Sequence, residues 1–423
     1  MVSRILGRLG LSLVLTFALV AGSSYTIGYA ADAPAPLLEK AGQPVDWWFA
    51  FKFNAKSFPS CAGTAKRACP FGGEVQEYKS FSQQYVFATS EEPLKKGKFC
   101  LGDTTRDPLG ATFDQVYNGK HFYVLWNDQF YNDPDIAACK GSTFCKAPWA
   151  HSKGMLAWNE DGEGFVLQVT TPNWPGSGSK KFPREQNGNT LGCITKDGES
   201  AHNNVLVSQH FFALKLTKDD VLKVLAALQN AAVVTEHDSE AENRAQIVNN
   251  GGPADIKAKV DELGTLTHGK VARKDTLSSG VQVISKPAAL KVPPWQMVSA
   301  VLGGVSLKVA TWYSASKIPD TEANEVPECW DASLGKPGAV TNVETGHWEG
   351  TSFGLFGGSS PDRNHAKIGV SVTGNLAIFG DMNQEGALSG NCKTKQNDRG
   401  GLFFVVQDAA TAKSLRSLLS DAP

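Results

Sequence analysis

The sequence lacks several features that would assign it to large classes of proteins. After residue 30, no apolar run approaches the roughly 18 residues of a membrane-spanning helix, which argues against a membrane-spanning protein. No C-x-x-C pair occurs, although such pairs are typical of zinc sites. Neither charge dominates, since 41 basic residues face 42 acidic ones, so the composition does not indicate a strongly basic nucleic-acid-binding protein.

The N-terminal segment is typical of a secretory signal peptide. Arg4 and Arg8 precede an apolar run over about residues 9–21, and small residues follow through Ala31. We therefore predict a signal peptide over residues 1–30 and a secreted or periplasmic protein. Cleavage of the signal peptide would remove two of the 41 basic residues and none of the 42 acidic ones, so the remaining chain would have a net charge of −3. No asparagine begins an N-x-S/T acceptor, which favours a bacterial over a lysosomal protein.

The eight cysteines are expected to form structural disulfides, because an exported protein meets an oxidising environment. A metal site would need closely spaced cysteines or nearby histidines, and the sequence has neither arrangement. Two pairs are close enough in sequence to close local loops, Cys61 with Cys69 and Cys139 with Cys145.

The chain divides into two halves with similar endings. A polar segment over residues 235–275, predicted to be a linker or an exposed helical excursion, separates residues 31–234 from residues 276–423. The first half ends with an apolar strand run, then a capping box at Thr217–Asp220 that predicts a helix. The second half also ends with a strand and a helix, with Asp408 as the predicted N-cap. These endings predict an α/β fold.

Each half carries an H-x-K motif within a longer shared pattern. In residues 151–173 and 365–383 the motif is followed by an alternating run, a turn, a second apolar run and an asparagine, which predicts a β-hairpin. Residues i and i+2 of a strand share a face, so the histidine and lysine of each motif would project together. The four side chains expected in one cleft are His151, Lys153, His365 and Lys367. A third H-x-K, at His268, has neither hairpin nor asparagine and is interpreted as chance.

Two imidazoles and two ammonium groups suit phosphoryl transfer. A neutral imidazole can attack phosphorus to form a phosphohistidine, while a second, protonated imidazole can donate its proton to the leaving oxygen. The lysines and asparagines can stabilise the charge that develops on the phosphoryl oxygens. This chemistry requires no metal or cofactor, and it should be fastest on the acid side of neutrality because one imidazole must be protonated.

Both motifs resemble those of the phospholipase D superfamily, in which H-x-K-x₄-D is followed by G-S-x-N. Residues 170–173 and 380–383 stand where G-S-x-N would be. The aspartate is missing from both motifs, since Trp158 and Val372 occupy its place. This departure is typical of the deoxyribonuclease II branch, which the chain resembles through most of its length. The segments that carry the resemblance best are residues 42–54, 151–175, 293–313, 364–370 and 380–386.

The resemblance implies a fold, an activity and residue roles. The fold would consist of duplicated phospholipase D-like α/β units, each a mixed β-sheet flanked by helices, related by a pseudo-two-fold axis. The activity would be metal-independent, acid cleavage of double-stranded DNA to 3′-phosphate and 5′-hydroxyl ends, without a cofactor. By analogy, His151 would be the nucleophile and His365 the general acid. The remaining catalytic residues would be Lys153, Lys367, Asn173 and Asn383. Relatives also suggest a homodimer that clamps the duplex.

Several alternatives and contacts remain open at this point. The residues proposed to bind substrate are Arg363, Asn204, Arg399 and Trp174. Without the motif aspartate, either a backbone carbonyl or a carboxylate from elsewhere could orient each imidazole. An exported phosphodiesterase with a non-DNA substrate and a catalytically inactive binding protein are the alternative functions. The near-balanced charge is compatible with DNA in acid, because the eight histidines then become charged.

Overall fold

The structure, a computed structural model, describes residues 33–61, 81–102, 104–130, 136, 139, 142, 144–172, 174, 205–237 and 247–420. In chain order its strands are β1 (Trp47–Lys52), β2 (Tyr85–Thr89), β3 (Lys95–Lys96), β4 (Phe122–Asn127), β5 (Lys153–Trp158), β6 (Gly164–Val169), β7 (Gln209–Leu216), β8 (Val248–Asn249), β9 (Arg273–Thr276), β10 (Gln282–Lys286), β11 (Leu307–Ala310), β12 (Val340–Asn342), β13 (Thr345–Trp348), β14 (Thr351–Gly354), β15 (Ile368–Ser371), β16 (Leu376–Gly380) and β17 (Gly401–Gln407). The helices are α1 (Pro108–Tyr117), α2 (Lys218–Ala231), α3 (Ala254–Asp261), α4 (Pro294–Val301) and α5 (Ala409–Leu418). The fold is α/β, as the sequence predicts.

Two large sheets contain nearly all of the strands. The eight-stranded sheet has the order β3-β2-β1-β7-β6-β5-β4-β8, and the seven-stranded sheet has the order β12-β11-β15-β16-β17-β10-β9. The strand pairs of the first sheet are antiparallel. The second sheet is mixed, because β12 runs parallel to β11. Strands β13 and β14 pair separately with each other.

Both predicted helix starts are confirmed. At the start of α2 the Thr217 hydroxyl accepts from the Asp220 backbone N–H, and the Asp220 carboxylate accepts from the Thr217 backbone N–H, which is the reciprocal capping box. Its apolar stripe, including Val224 and Leu228, is buried. At the start of α5 the Asp408 carboxylate accepts from the Thr411 N–H at 2.7 Å. Of the described residues, no helix is long and apolar enough to cross a membrane.

The two predicted hairpins are confirmed, as β5–β6 and β15–β16. In the first turn Asn159 Oδ1 accepts from two backbone N–H groups, those of Asp161 and Glu163. Gly162 completes that turn at a φ of 87°, in the region that favours glycine. The motif lysine Lys153 is the first residue of β5, whereas the motif of the second half ends just before Ile368 begins β15. The motifs therefore lie at the entrances to the hairpins.

The two sheets share one aromatic core. Phe379 of β16 stacks on Phe49 of β1 with 4.3 Å between ring centroids, and on Phe212 of β7 at 4.8 Å. Phe212 also packs against Phe404 of β17, at 5.5 Å. Helix α2 contacts strands of both sheets. These buried rings pack the two sheets against each other. The strand ends at which the H-x-K motifs lie are therefore held at fixed positions relative to each other.

The polar segment over residues 235–275 contributes to both sheets where it is described. Strand β8 pairs with β4, β9 pairs with β10, and α3 buries Ile256 and Val260. The expectation that no hairpin follows the H-x-K at His268 is wrong, because β9 and β10 form one directly after it. The segment boundaries proposed from composition stay a prediction.

Three disulfides are described. Cys139 pairs with Cys145, which confirms one predicted local loop. The other predicted local pair is wrong, because Cys61 pairs with Cys100 rather than with Cys69. Strand pairing is the reason: chain segments distant in sequence approach where the loop after β1 meets the loop after β3. The third bridge joins Cys329 to Cys392, while Cys69 and Cys193 lie outside the described residues.

Candidate active site

Each H-x-K motif is attached by its backbone to the opposite half of the chain. The His151 backbone N–H donates to the Gly400 carbonyl at 2.9 Å, just before β17. The His365 N–H donates to the Ser208 carbonyl at 2.8 Å, just before β7. These reciprocal bonds place the two motifs side by side although they are more than 200 residues apart in sequence.

The four motif side chains form one electrostatically coupled cluster. Lys153 and Lys367 are each 2% exposed and His151 is 8% exposed, while His365 is partly buried. The positive charge of Lys367 acts on the His151 imidazole, and that of Lys153 acts on the His365 imidazole. Burial first, and these lysines second, hold the pKa of both histidines well below the ordinary value. The prediction that the two motifs share one site agrees with this geometry.

Backbone carbonyls orient both imidazoles. His151 Nδ1 lies 2.9 Å from the Asp381 carbonyl oxygen. Because a carbonyl can only accept, Nδ1 carries the proton and Nε2 keeps its lone pair. The His365 ring likewise has a backbone hydrogen bond to Gly358, and its buried Nε2 has no hydrogen-bond partner among the described residues. Of the alternatives left open by the missing motif aspartate, the backbone carbonyl is the one observed.

The two lysines are held by different groups. Lys153 Nζ donates to Asp128 Oδ1 at 2.6 Å, and the same carboxylate accepts from Arg399 at 2.8 Å. Although burial opposes it, the pair of cations holds the pKa of Asp128 well below its usual range. Within the described part of the chain, Lys367 Nζ donates to a neutral carbonyl, that of His365, at 2.6 Å. Burial, followed by repulsion from Lys153, lowers the pKa of Lys367 to about 7.

A buried relay of polar side chains lies behind the cluster. His210 Nδ1 accepts from the Lys367 backbone N–H at 3.1 Å, so its Nε2 carries the proton and faces Gln168 Oε1 at 3.5 Å. Gln168 Nε2 then donates to Asp381 Oδ1 at 2.9 Å. Burial raises the pKa of Asp381 to about 7, against hydrogen bonds from Ser152, Leu402 and Gln168.

Sequence reasoning missed this relay. His210 belongs to an aromatic strand, is fully buried, and lies 6.2 Å from the ring centroids of both Phe49 and Phe379. The available signal was the polar Gln168 within the otherwise apolar strand β6. A buried polar side chain needs a partner, and His210 lies on the same face of β7 as Phe212, the residue opposite Gln168, so it is a candidate partner.

Asn383 lies close to a second carboxylate. It is 4% exposed, and its Nδ2 donates to Glu385 Oε2 at 3.2 Å, while no described residue hydrogen-bonds to its Oδ1. Glu385 is held in turn by Ser314, through both its backbone N–H and its hydroxyl. The equivalent asparagine of the first half, Asn173, lies outside the described residues.

An aromatic and a basic side chain flank His365. The ring of Trp312 is perpendicular to the imidazole, with 6.2 Å between the centroids, and the residue is partly exposed. The Arg363 side chain is 38% exposed and its guanidinium lies 5.6 Å from the Phe356 ring centroid. The partly exposed indole of Trp312 therefore lies beside His365, whereas Arg363 Nε lies 3.3 Å from Asp362 Oδ1 and is ion-paired with it. Arg363 was proposed from the sequence to bind substrate, whereas Trp312 was missed.

Two other residues proposed to bind substrate face the interior. Trp174 is fully buried against Phe113, at 5.2 Å between ring centroids, so its indole belongs to the core. Arg399 is 8% exposed, and its guanidinium is occupied by Asp128 and backbone carbonyls, so it is not positioned to contact DNA. Asn204, the fourth such residue, lies outside the described residues. Arg399 and Trp174 are therefore corrected to interior positions.

Comparisons with known proteins identify one family. The family model described as Deoxyribonuclease II matches residues 38–422, which is nearly the whole chain. No curated protein sequence matches the chain. Among the described residues, no group of three or more His, Cys, Asp or Glu side chains is arranged to hold a metal ion.

Proposed function

This chain belongs to the deoxyribonuclease II family, and we propose that it is a metal-independent acid endonuclease that cleaves double-stranded DNA to 3′-phosphate and 5′-hydroxyl ends. The observation that carries the proposal is that the reciprocal backbone bonds, from His151 to Gly400 and from His365 to Ser208, bring both H-x-K pairs into one cluster. In that cluster the backbone holds both imidazoles. A neutral imidazole whose Nδ1 carries the proton keeps a lone pair on Nε2, which is suited to attack phosphorus or to accept a proton.

The proposed reaction has two displacements. His151 Nε2 attacks the scissile phosphorus, the bond from phosphorus to the 5′-oxygen breaks, and protonated His365 donates its proton to that oxygen. His365, now neutral, removes a proton from water, and the hydroxide breaks the phosphorus–nitrogen bond. The products are a 5′-hydroxyl, a 3′-phosphate and the regenerated His151. The nucleophile and the acid are assigned by analogy with the phospholipase D superfamily.

The remaining residues of the cluster stabilise charge. Lys153 and Lys367 are close enough to both histidines to perturb their pKa, so their ammonium groups would lie within reach of the non-bridging phosphoryl oxygens. The amide of Asn383, and by the repeated pattern that of Asn173, would donate to the same oxygens. An ammonium in a water-excluding site stabilises developing charge more strongly than it could in bulk water.

We also propose that the two halves are duplicated phospholipase D-like units related by a pseudo-two-fold axis. Five strands of the first sheet, β1-β7-β6-β5-β4, correspond in order to β10-β17-β16-β15-β11 of the second. All neighbours within each series are antiparallel. The reciprocal bonds from His151 to Gly400 and from His365 to Ser208 are what an exchange of the two units would produce.

The proposal also covers the compartment in which the protein acts and its oligomeric state. Three disulfides fit an extracellular or secreted protein, since such bonds persist in oxidising compartments. The signal peptide over residues 1–30, the bacterial origin and a homodimer that clamps the duplex stay predictions. Measuring the molecular mass of the purified protein with and without DNA tests the last of these.

The test of the proposed function is plasmid cleavage in the presence of EDTA across pH 4 to 8, followed by end-group analysis. We expect cutting that persists in EDTA, and products with 3′-phosphate and 5′-hydroxyl ends. Cleavage that requires an added divalent metal would contradict metal independence, and 5′-phosphate ends would contradict the proposed bond scission. Hydrolysis of a small phosphodiester such as bis-p-nitrophenyl phosphate, without plasmid cutting, would favour the non-DNA phosphodiesterase.

Replacing Trp312 with alanine is expected to weaken substrate binding. A nucleotide base or sugar that reaches His365 would contact the partly exposed indole, and such stacking is worth about 1–3 kcal/mol. We expect KM for an oligonucleotide to rise about tenfold while kcat changes less. Trp330→Ala is the matched control, because this tryptophan packs against a separate apolar cluster that includes Trp295, Met297 and Phe403. An unchanged KM in the Trp312 variant would mean that the indole does not contact substrate.

A further inference from the structure

A buried ionic cluster joins the two halves beside the active site. Asp128 follows β4 and is 1% exposed. Its Oδ1 accepts from Lys153 Nζ at 2.6 Å and its Oδ2 from Arg399 Nη2 at 2.8 Å. Arg399 comes from the other half of the chain, 271 residues away. One carboxylate thus binds a motif lysine of the first half and a guanidinium of the second half.

Arg399 also fastens the segment that leads into His151. Its Nε donates to the Trp149 carbonyl at 3.0 Å, and its Nη2 lies 2.8 Å from each of two further carbonyls, those of Cys145 and Ala150. The Cys145 N–H donates to the Asp128 backbone carbonyl at 2.7 Å, and the disulfide to Cys139 closes this loop. The guanidinium therefore holds several points of one loop at once.

The backbone of Arg399 is itself anchored from the second sheet. Lys286, the last residue of β10, is fully buried, and its Nζ donates to the Asn397 carbonyl at 2.8 Å and the Arg399 carbonyl at 2.9 Å. The next residue, Gly400, accepts the backbone N–H of His151. The contacts form a continuous path from the second sheet to both members of the first H-x-K motif.

We propose that Asp128 and Arg399 are positioning residues that form an ion-paired clamp between the two halves. The clamp sets the position of the Lys153 ammonium and of the loop carrying His151, so the first H-x-K motif is competent only when the second half is docked against it. This inference rests on the proposed function, because its kinetic test measures DNA cleavage. It assigns to Arg399 a role different from the substrate contact expected from the sequence.

The chemistry of the pair explains why these residue types are present. A guanidinium presents several N–H groups in a planar fork, so it can bind a carboxylate and several carbonyls together, which a lysine ammonium cannot reproduce. A buried ion pair holds its partners in one arrangement, because separating them leaves an uncompensated charge. A displacement of about 1 Å in a catalytic group can reduce a rate by about 10²-fold.

The electrostatic surroundings of His151 provide a readout specific to the clamp. Burial, Lys153, Arg399 and Lys367 lower the pKa of His151, whereas Asp128 raises it. Asp381 contacts the ring through its carbonyl oxygen. Neutralising Asp128 should lower the pKa of His151 further. Whether His151 acts as nucleophile or as acid, its limb of the pH–rate profile then moves to lower pH.

The test compares Asp128→Asn and Arg399→Lys with Asp220→Asn as a matched control. Asp220 is a buried aspartate, 1% exposed, that accepts from Ser278 and Thr217 and so also joins the halves, at the N-terminus of α2. We expect Asp128→Asn to lower kcat about 10²-fold and Arg399→Lys about tenfold, with KM little changed. Asp128→Asn should also move the pH–rate profile to lower pH. Asp220→Asn should lower the melting temperature but leave kcat and the profile unchanged.

A second measurement is independent of activity. Amide hydrogen exchange should become faster over residues 144–151 in Arg399→Lys, and remain unchanged there in Asp220→Asn. Unchanged exchange together with wild-type kcat in the folded variants would overturn the clamp. An equal loss of kcat in Asp220→Asn would mean that Asp128 and Arg399 contribute to general stability and do not position the motif. If the wild type fails to cut DNA, the proposed function fails, and the exchange experiment still decides whether the clamp exists.

Discussion

Replacing either His151 or His365 with alanine is expected to abolish DNA cleavage, with a loss of at least about 10³-fold in kcat. Each imidazole is held by a backbone carbonyl with its Nε2 directed away from that bond, and alanine supplies neither a nucleophile nor a proton carrier. Because the two act in one sequence of displacements, the double variant should be little worse than either single variant. The rate of plasmid nicking at acid pH measures the effect.

The control for this prediction comes from the third H-x-K of the chain. His268 is exposed, and although the β9–β10 hairpin follows its motif, no asparagine stands after that hairpin as Asn383 does after β16, so His268→Ala should cut like the wild type. A melting temperature for each variant separates lost chemistry from lost folding. Wild-type cutting by His151→Ala or His365→Ala would mean that the repeated motif is not catalytic.

The rate of cleavage is expected to fall about 10³-fold between pH 5 and pH 8. The general acid must be protonated, and burial with the nearby lysines holds the pKa of both histidines well below the ordinary value of about 6.5. Above that pKa, each further pH unit reduces the protonated fraction about tenfold. Lys367 adds to this fall, since its ammonium is lost above a pKa of about 7.

The sign of this dependence can be tested directly. A lowered pKa means that the protonated acid is present only at low pH, so activity must rise as the pH falls until the nucleophile is protonated too. Initial rates at saturating substrate, measured with constant ionic strength, give the profile, because salt changes DNA binding on its own. Lys257→Met, an exposed lysine of α3, should leave the profile unchanged. A flat profile, or an optimum above pH 7, would contradict the proposed acid–base pair.

The family and the main elements of the site could be predicted from local sequence patterns. The capping box at Thr217 and the N-cap at Asp408 depend on contacts within four residues, and both were predicted. The two hairpins follow from alternation and turn residues. The repeated H-x-K identified the four central side chains, because two matching contexts carry more information than one short motif. The Cys139–Cys145 disulfide could also be predicted, because its two cysteines are only 6 residues apart.

What the tertiary structure alone decided depends on contacts between residues far apart in sequence. The carbonyl that orients His151 belongs to Asp381, 230 residues away, and the partner of Arg399 is 271 residues away. No local pattern distinguishes a buried arginine from one that contacts DNA, so Arg399 and Trp174 were assigned to substrate and found in the interior. The sequence by itself determined which residues could carry out phosphoryl transfer. Packing of the two sheets decided which of them meet, because a side chain acquires its charge environment and orientation only from its neighbours in space.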